Sequence, residues 1–236
     1  MSTRIGATMR PTVVFDFDGT VALGRGPLEA YATCLGELTD GEMLTSCRTA
    51  VERFDAGQTS YRDGYDAIQT TARGRGATDE QLSTAYLRSR QLLATDAAPI
   101  HPPAGLAEFV NELTTRATCV LATNAPDLGI DRALSALGLA GALTAVHCSV
   151  GKPDGLEPII AATLADGPTL AVGDIWENDL APAQRLGADT ALVGVGQPAG
   201  TPTLRGATLT DLYDDIHAWA SRPVTVPAGA RPAERL

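Results

Sequence analysis

The run Val13-Val14-Phe15-Asp16-Phe17-Asp18-Gly19-Thr20 constrains this chain more than any other stretch: an apolar, β-branched and aromatic segment ends in two carboxylates one residue apart. Short apolar runs closed by Gly form buried strands of parallel sheets, and open α/β sheets bind ligands at their carboxyl edge. Two acids at that edge repel each other and lose hydration. Such a pair either ligates a cation or divides into a nucleophile and an acid/base. A bare Asp-Gly turn would leave the same trace, so the rest of the chain has to decide.

Three further apolar runs end in polar groups. Cys119-Val120-Leu121-Ala122-Thr123-Asn124 brings a hydroxyl and an amide, Val150-Gly151-Lys152-Pro153 an ammonium, and Leu170 to Asp179, through Gly173-Asp174, a second acidic cluster. Taken singly, these read as a helix cap before Pro126, a surface turn, and an acidic turn opening a helix. Together they supply a nucleophile, phosphate anchors and acids for a divalent metal, the set that phosphoryl transfer requires.

In this order the segments resemble the haloacid dehalogenase-like hydrolase superfamily, whose four motifs are a D-x-D-G-T strand end, a Thr or Ser strand end, a Lys, and a G-D-x-x-x-x-D element. The resemblance runs from about residue 11 to 220. It points to members with a helical cap between the first and second motifs, which are phosphoglycolate phosphatase- or phosphomutase-like. It implies that Asp16 attacks phosphorus and becomes an aspartyl-phosphate, with Asp18 as general acid/base. It also implies Mg2+ held by Asp16, the Asp18 main-chain carbonyl and Asp174, with Asp179, and less directly Glu177 or Asn178, orienting that shell. Thr123 and Asn124 would bind the substrate phosphate, and Lys152 would offset charge on nucleophile and phosphate. One departure is Ile175-Trp176, where family members often carry Ser after Gly-Asp; Trp176 is expected to pack on a neighbouring helix.

Between residues 21 and 100 the periodicity is helical throughout. Four stripes stand out: Leu28, Tyr31, Ala32 and Leu35; Met43, Leu44, Cys47, Val51 and Phe54; Tyr61, Tyr65 and Ile68; Leu82, Tyr86 and Leu93. Thr78 and Gln81 match a capping box, Gly74-Arg75-Gly76 separates the last two helices, and Pro99 to Pro103 ends the helical stretch. Helices and strands then alternate: a helix with Leu106, Phe109 and Val110, a strand near Cys119, a helix with Leu134 and Leu137, a strand at 145–148, and a helix with Ile159 and Ile160. A strand at 170–172, a helix to Leu186, a strand at 191–193 and a last helix with Leu212, Ile216 and Trp219 follow. The expected fold is α/β, a Rossmann-like parallel sheet over residues 1–20 and 101–222, with residues 21–100 as an inserted α-helical cap and a flexible tail over 223–236. Gly24-Arg25-Gly26 and Pro99 to Pro103 would be its hinges. Arg25, Arg48, Arg62, Arg73 and Arg75 form a pool of cap cations that could meet a second anionic group, although each reads more simply as a solvated surface side chain.

The formal net charge of −10 argues against nucleic acid and anionic membrane as partners. Cys34, Cys47, Cys119 and Cys148 lack C-x-x-C spacing and read as free thiols of a reducing cytoplasm. No stretch has the apolar length of a membrane span, and residues 1–10 lack a signal core. His101, His147 and His217 are scattered, with no metal-ligand spacing and no expected catalytic role. The expectation is a cytoplasmic Mg2+-dependent phosphatase acting on a small phosphorylated metabolite. A sugar phosphomutase of the same fold is the alternative. A haloacid dehalogenase is disfavoured by Asp18, a receiver-type signalling protein by the insertion, and an inactive binding homologue by the full set of polar groups. A Schiff-base phosphonate hydrolase is excluded, because Lys152 is the only lysine in the chain.

Overall fold

A computed structural model describes residues 9–195 and 198–223. Six parallel strands, β1 (Thr12–Phe15), β2 (Thr118–Ala122), β3 (Ala145–His147), β4 (Thr169–Gly173), β5 (Asp189–Val193) and β6 (Leu204–Gly206), form one sheet in the order β3-β2-β1-β4-β5-β6. The chain builds outward from β1 to one side through β2 and β3, then returns to β4 and builds to the other. β1 therefore lies at the switch point, where the loops that follow adjacent strands part and open a crevice. Both neighbours of β1 are in register with it, with Phe15 opposite Leu121 and Val172.

The alternation of side chains along the strands feeds two separate hydrophobic layers. Val13, Phe15, Cys119, Leu121, Leu170 and Val172 face one side and pack on α5 (Leu106–Leu113), α6 (Ile130–Ala136) and α9 (Tyr213–Ala220). Val14, Val120, Ala122, Ala171 and Leu192 face the other, against α7 (Leu156–Asp166) and α8 (Ala181–Arg185). Strands buried on both faces read in sequence as unbroken apolar runs, which is why they were legible.

The expected helical segment consists of α1 (Gly26–Leu38), α2 (Gly41–Asp55), α3 (Gly64–Gly74) and α4 (Asp79–Gln91). Asp40, Asp63 and Thr78 cap α2, α3 and α4 with their side chains, and the capping box of Thr78 and Gln81 is complete. The four helices share a hydrophobic cluster of their own, built on Tyr31, Leu35, Cys47, Ile68 and Leu82. The chain leaves and re-enters the sheet region side by side, since Leu23 and His101 exchange main-chain hydrogen bonds of 2.9 Å.

Three details differ from the sequence reading. The strand expected at 145–148 ends at His147. The sequence pattern does not predict β6. The helix expected to run to Leu186 is instead a wide π-type turn, Trp176–Leu180, followed by the short α8. Pro182, at the start of α8, has no N–H to give to a continuous helix across this junction. The first eight residues and the tail beyond Pro223, expected to be mobile, lie outside the described residues. Among the described residues no helix is long and apolar enough to cross a membrane.

Candidate active site

The polar residues that follow the strands converge on one crevice. Asp16 directly follows β1, and its N–H continues the ladder by donating to the Val172 carbonyl at 2.8 Å. Thr123 follows β2, Asp174 follows β4, and Lys152 lies in the loop after β3. Lys152 Nζ donates to Asp16 Oδ1 at 2.6 Å and to Asp179 Oδ1 at 2.8 Å, and only 3% of its side-chain surface is exposed. Burial works against its charge, but the two carboxylates outweigh burial and hold the ammonium above its ordinary range. Asp179 is equally enclosed, 4% exposed, and its second oxygen accepts from the Ile175 N–H at 3.0 Å. Both of its oxygens are thus committed to shaping the site.

The turn geometry makes this crowding possible. Gly19 adopts φ +88°, and a β-carbon there would collide with the Asp174 carboxylate. A β-carbon on Gly173 would lie 2.6 Å from Asp179 Oδ2. The wide turn Trp176–Leu180 brings Asp179 back beneath the strand end. Side-chain oxygens of Asp16, Asp174 and Asp179 lie within 4.8 Å of one another. Burial first, and then the charges of Asp16 and Asp179, push the Asp174 carboxyl well above the usual carboxylate range. Asp174 Oδ1 is buried with no hydrogen-bond partner. The carboxylates of Asp16 and Asp174, with one Asp174 oxygen orphaned, fit a hard divalent cation, which takes oxygen ligands and relieves the repulsion that Lys152 only partly offsets.

The phosphate-anchor candidates are ordered by the main chain. Thr123 is buried and its Oγ1 accepts from the Ala125 N–H at 3.0 Å, and Asn124 Oδ1 accepts from the Lys152 N–H at 2.7 Å. Asn124 therefore fixes the loop that carries Lys152. Thr20 Oγ1 donates to Asp16 Oδ2 at 3.2 Å, a contact not singled out from sequence.

Asp18 stands apart from the acidic trio. Its carboxylate faces Arg90, with Nη1 3.4 Å from Oδ1, and its side chain remains 32% exposed to the cavity above the site. Burial raises the Asp18 carboxyl, Arg90 opposes the rise, and Asp16 adds to it. Arg90 was absent from the pool of candidate cations. Its signal was an Arg four residues after Tyr86 on the apolar stripe of α4, where a charge has no business unless it is paired. The named pool lies elsewhere: Arg25, Arg48, Arg73 and Arg75 pair with Asp55, Glu29, Asp79 and Glu42 on the surface. Arg62 alone of that pool lines the cavity, paired with Asp66 and 72% exposed.

That cavity, about 680 Å³, joins the strand-end residues to α1–α4, with Leu28, Phe54, Tyr65 and Tyr86 on its helical wall. Trp176 is buried against Leu180 and Ala183, as expected, and a β-carbon on Gly200 would collide with its ring. None of the three histidines lines the cavity.

The profile of the haloacid dehalogenase-like hydrolase family matches residues 11–187. The chain belongs to that family. As a haloacid dehalogenase-like hydrolase it also resembles solved members in fold. The magnesium-bound HAD-hydrolase YfnB of Bacillus subtilis superposes with a TM-score of 0.62 at 17% identity, over 88% of this chain and 98% of that one. The L-2-haloacid dehalogenase of Xanthobacter autotrophicus gives 0.56 at 16% identity, over 89% and 98%. A HAD phosphatase of Thermococcus onnurineus gives 0.54 at 18% identity, over 87% and 97%. No curated protein matches the sequence. At these identities the hydrolase's neighbours establish the fold, and its chemistry has to be argued from its own side chains.

Proposed function

We propose that this hydrolase is a Mg2+-dependent phosphatase that cleaves a small phosphorylated metabolite through an aspartyl-phosphate on Asp16. The observation that carries this reading is the separation of the two acids of the first motif. Asp16 sits among Lys152, Thr20, Asp174 and Asp179, and Asp18 faces the cavity where a leaving group would lie. In this reading one carboxylate attacks and the other exchanges a proton.

Asp16 would attack phosphorus as the bond to the ester oxygen breaks, and Asp18, at the cavity wall, would give a proton to the departing oxygen. Water would then attack the phosphorus of the aspartyl-phosphate, its proton passing to Asp18 and the Asp16 carboxylate leaving. Lys152 would stabilise charge on Asp16 and the phosphoryl oxygens, and Thr123 and Asn124, which line the same cavity, would hold the phosphate. Asp16, Asp174 and the Asp18 main-chain carbonyl would hold the cation, with Asp179 orienting them through Lys152 and Ile175. Bound there, the cation screens the carboxylate and phosphate charges from each other.

The helices α1–α4 would be the cap that selects the metabolite and excludes water. Free thiols at all four cysteines are consistent with a reducing cytoplasm. The test is phosphate release across a panel of phosphorylated metabolites. Turnover is expected with Mg2+, lost in excess EDTA and restored by Mg2+. Release that persists in EDTA overturns the metal assignment, and halide release from 2-haloacids without any phosphatase activity overturns the reaction.

A further inference from the structure

Among the described residues Arg90 is the most anomalous side chain. None of its surface is exposed, yet it carries a full charge, held above its ordinary range by Asp18 and the tyrosines around it against the effect of burial. Its Nη1 contacts Asp18 Oδ1 at 3.4 Å and Tyr65 Oη at 3.1 Å, its guanidinium lies 5.9 Å from the centre of the Phe17 ring, and both Nε and Nη2 are buried without a partner. Burying a charge with two donors unsatisfied costs stability, and an apolar side chain of similar volume would serve the packing better. The arginine therefore has to be explained by what it touches.

Its attachment to the sheet region points the same way. Arg132, on α6, donates from Nε to the Leu93 carbonyl at 2.7 Å and from Nη2 to the Gln91 carbonyl at 2.6 Å. Those bonds fasten the carboxyl end of α4, immediately after Arg90, to a helix that packs on the sheet. The base of Arg90 is thereby fixed relative to β1 and the loop that carries Asp18, while Tyr65 reaches the guanidinium from α3.

We propose that Arg90 is the positioning residue of the acid/base Asp18. It holds that carboxylate toward the leaving-group side of the cavity and away from Asp16, Asp174 and Asp179, where a fourth acid would compete for the cation. The inference rests on the phosphatase reading, and it assigns Arg90 no contact with substrate. Proton transfer to the leaving group then depends on Arg90, whereas attack by Asp16 does not.

Leaving-group chemistry separates these steps. The second-order constant kcat/KM reports events up to departure of the leaving group. p-Nitrophenolate leaves without a proton, and an alkoxide does not. In Arg90→Met, kcat/KM for an alkyl phosphate should fall by about 10²-fold, the scale of a lost general acid, and kcat/KM for p-nitrophenyl phosphate by less than about tenfold. Hydrolysis of the aspartyl-phosphate also uses Asp18, so kcat on p-nitrophenyl phosphate should drop, with a burst of p-nitrophenol matching the enzyme present. Arg90→Lys, which keeps the charge without the planar fork, should recover part of the alkyl phosphate activity; it carries the same comparison should Arg90→Met fail to fold. Equal losses in kcat/KM on both esters, with no burst, overturn the positioning role and leave a structural one. A wild-type protein that cleaves neither ester overturns the phosphatase reading itself, a result distinguishable because it precedes any variant.

Discussion

The carboxyl edge of the sheet and the helical layer above it handle charge in opposite ways. At the sheet edge Lys152 is buried and holds Asp16 at 2.6 Å and the equally buried Asp179 at 2.8 Å. In the helical layer Arg48, Arg73 and Arg75 pair with acids in solvent. A buried ionic group is retained where it has work to do, because its desolvation is costly, while exposed pairs are cheap and contribute little. Arg90 breaks the pattern: it belongs to α4 in the helical layer but behaves like a sheet-edge residue.

This contrast can be broken at either end. The largest effect should come from Lys152→Met, which leaves Asp16 and Asp179 facing each other without their cation. Turnover should fall by about 10²–10³-fold or more, as when a preorganised charge-stabilising group is removed. Steady-state kinetics on p-nitrophenyl phosphate, with circular dichroism to confirm folding, would measure it, and a loss under about tenfold would mean that the buried pair is structural. The smallest effect should come from Arg75→Ala, which removes an exposed pair with Glu42. Its cost in a denaturation experiment should be under about 1 kcal/mol, with kcat/KM unchanged on every ester of the panel. A selective loss against substrates bearing a second anionic group would return Arg75 to the specificity pool.

Legibility in the sequence divides along the same line. Asp16, Thr123, Lys152 and Asp174 were readable because a parallel sheet presents chemistry where an apolar run stops, and each of these residues stands at or just beyond such a stop. The helical stripes gave α1–α4 because their caps and apolar spacing agree, Thr78 with Gln81 most plainly. Arg90 was hidden inside such a stripe, where periodicity registers only that a position is interior. Which partner rescues a charge there depends on Asp18, 72 residues away in sequence. β6 escaped because Leu204–Gly206 is three residues long and follows Pro198 and Pro202, and its strand character comes from pairing with β5 rather than from its own composition. The wide turn at Trp176 escaped because the pattern of apolar residues through Leu186 is helical, and only the close approach of Asp179 to Gly173 departs from it.

A covalent intermediate on Asp16 can be trapped. Asp18→Asn, mixed with p-nitrophenyl phosphate and Mg2+ and quenched in acid within the first turnover, should carry one phosphoryl group, because attack proceeds while hydrolysis lacks its base. Peptide mass spectrometry should place that group on Asp16. An unmodified Asp16 at every quench time, in a variant that still releases a stoichiometric burst of p-nitrophenol, would mean that Asp16 is not the nucleophile.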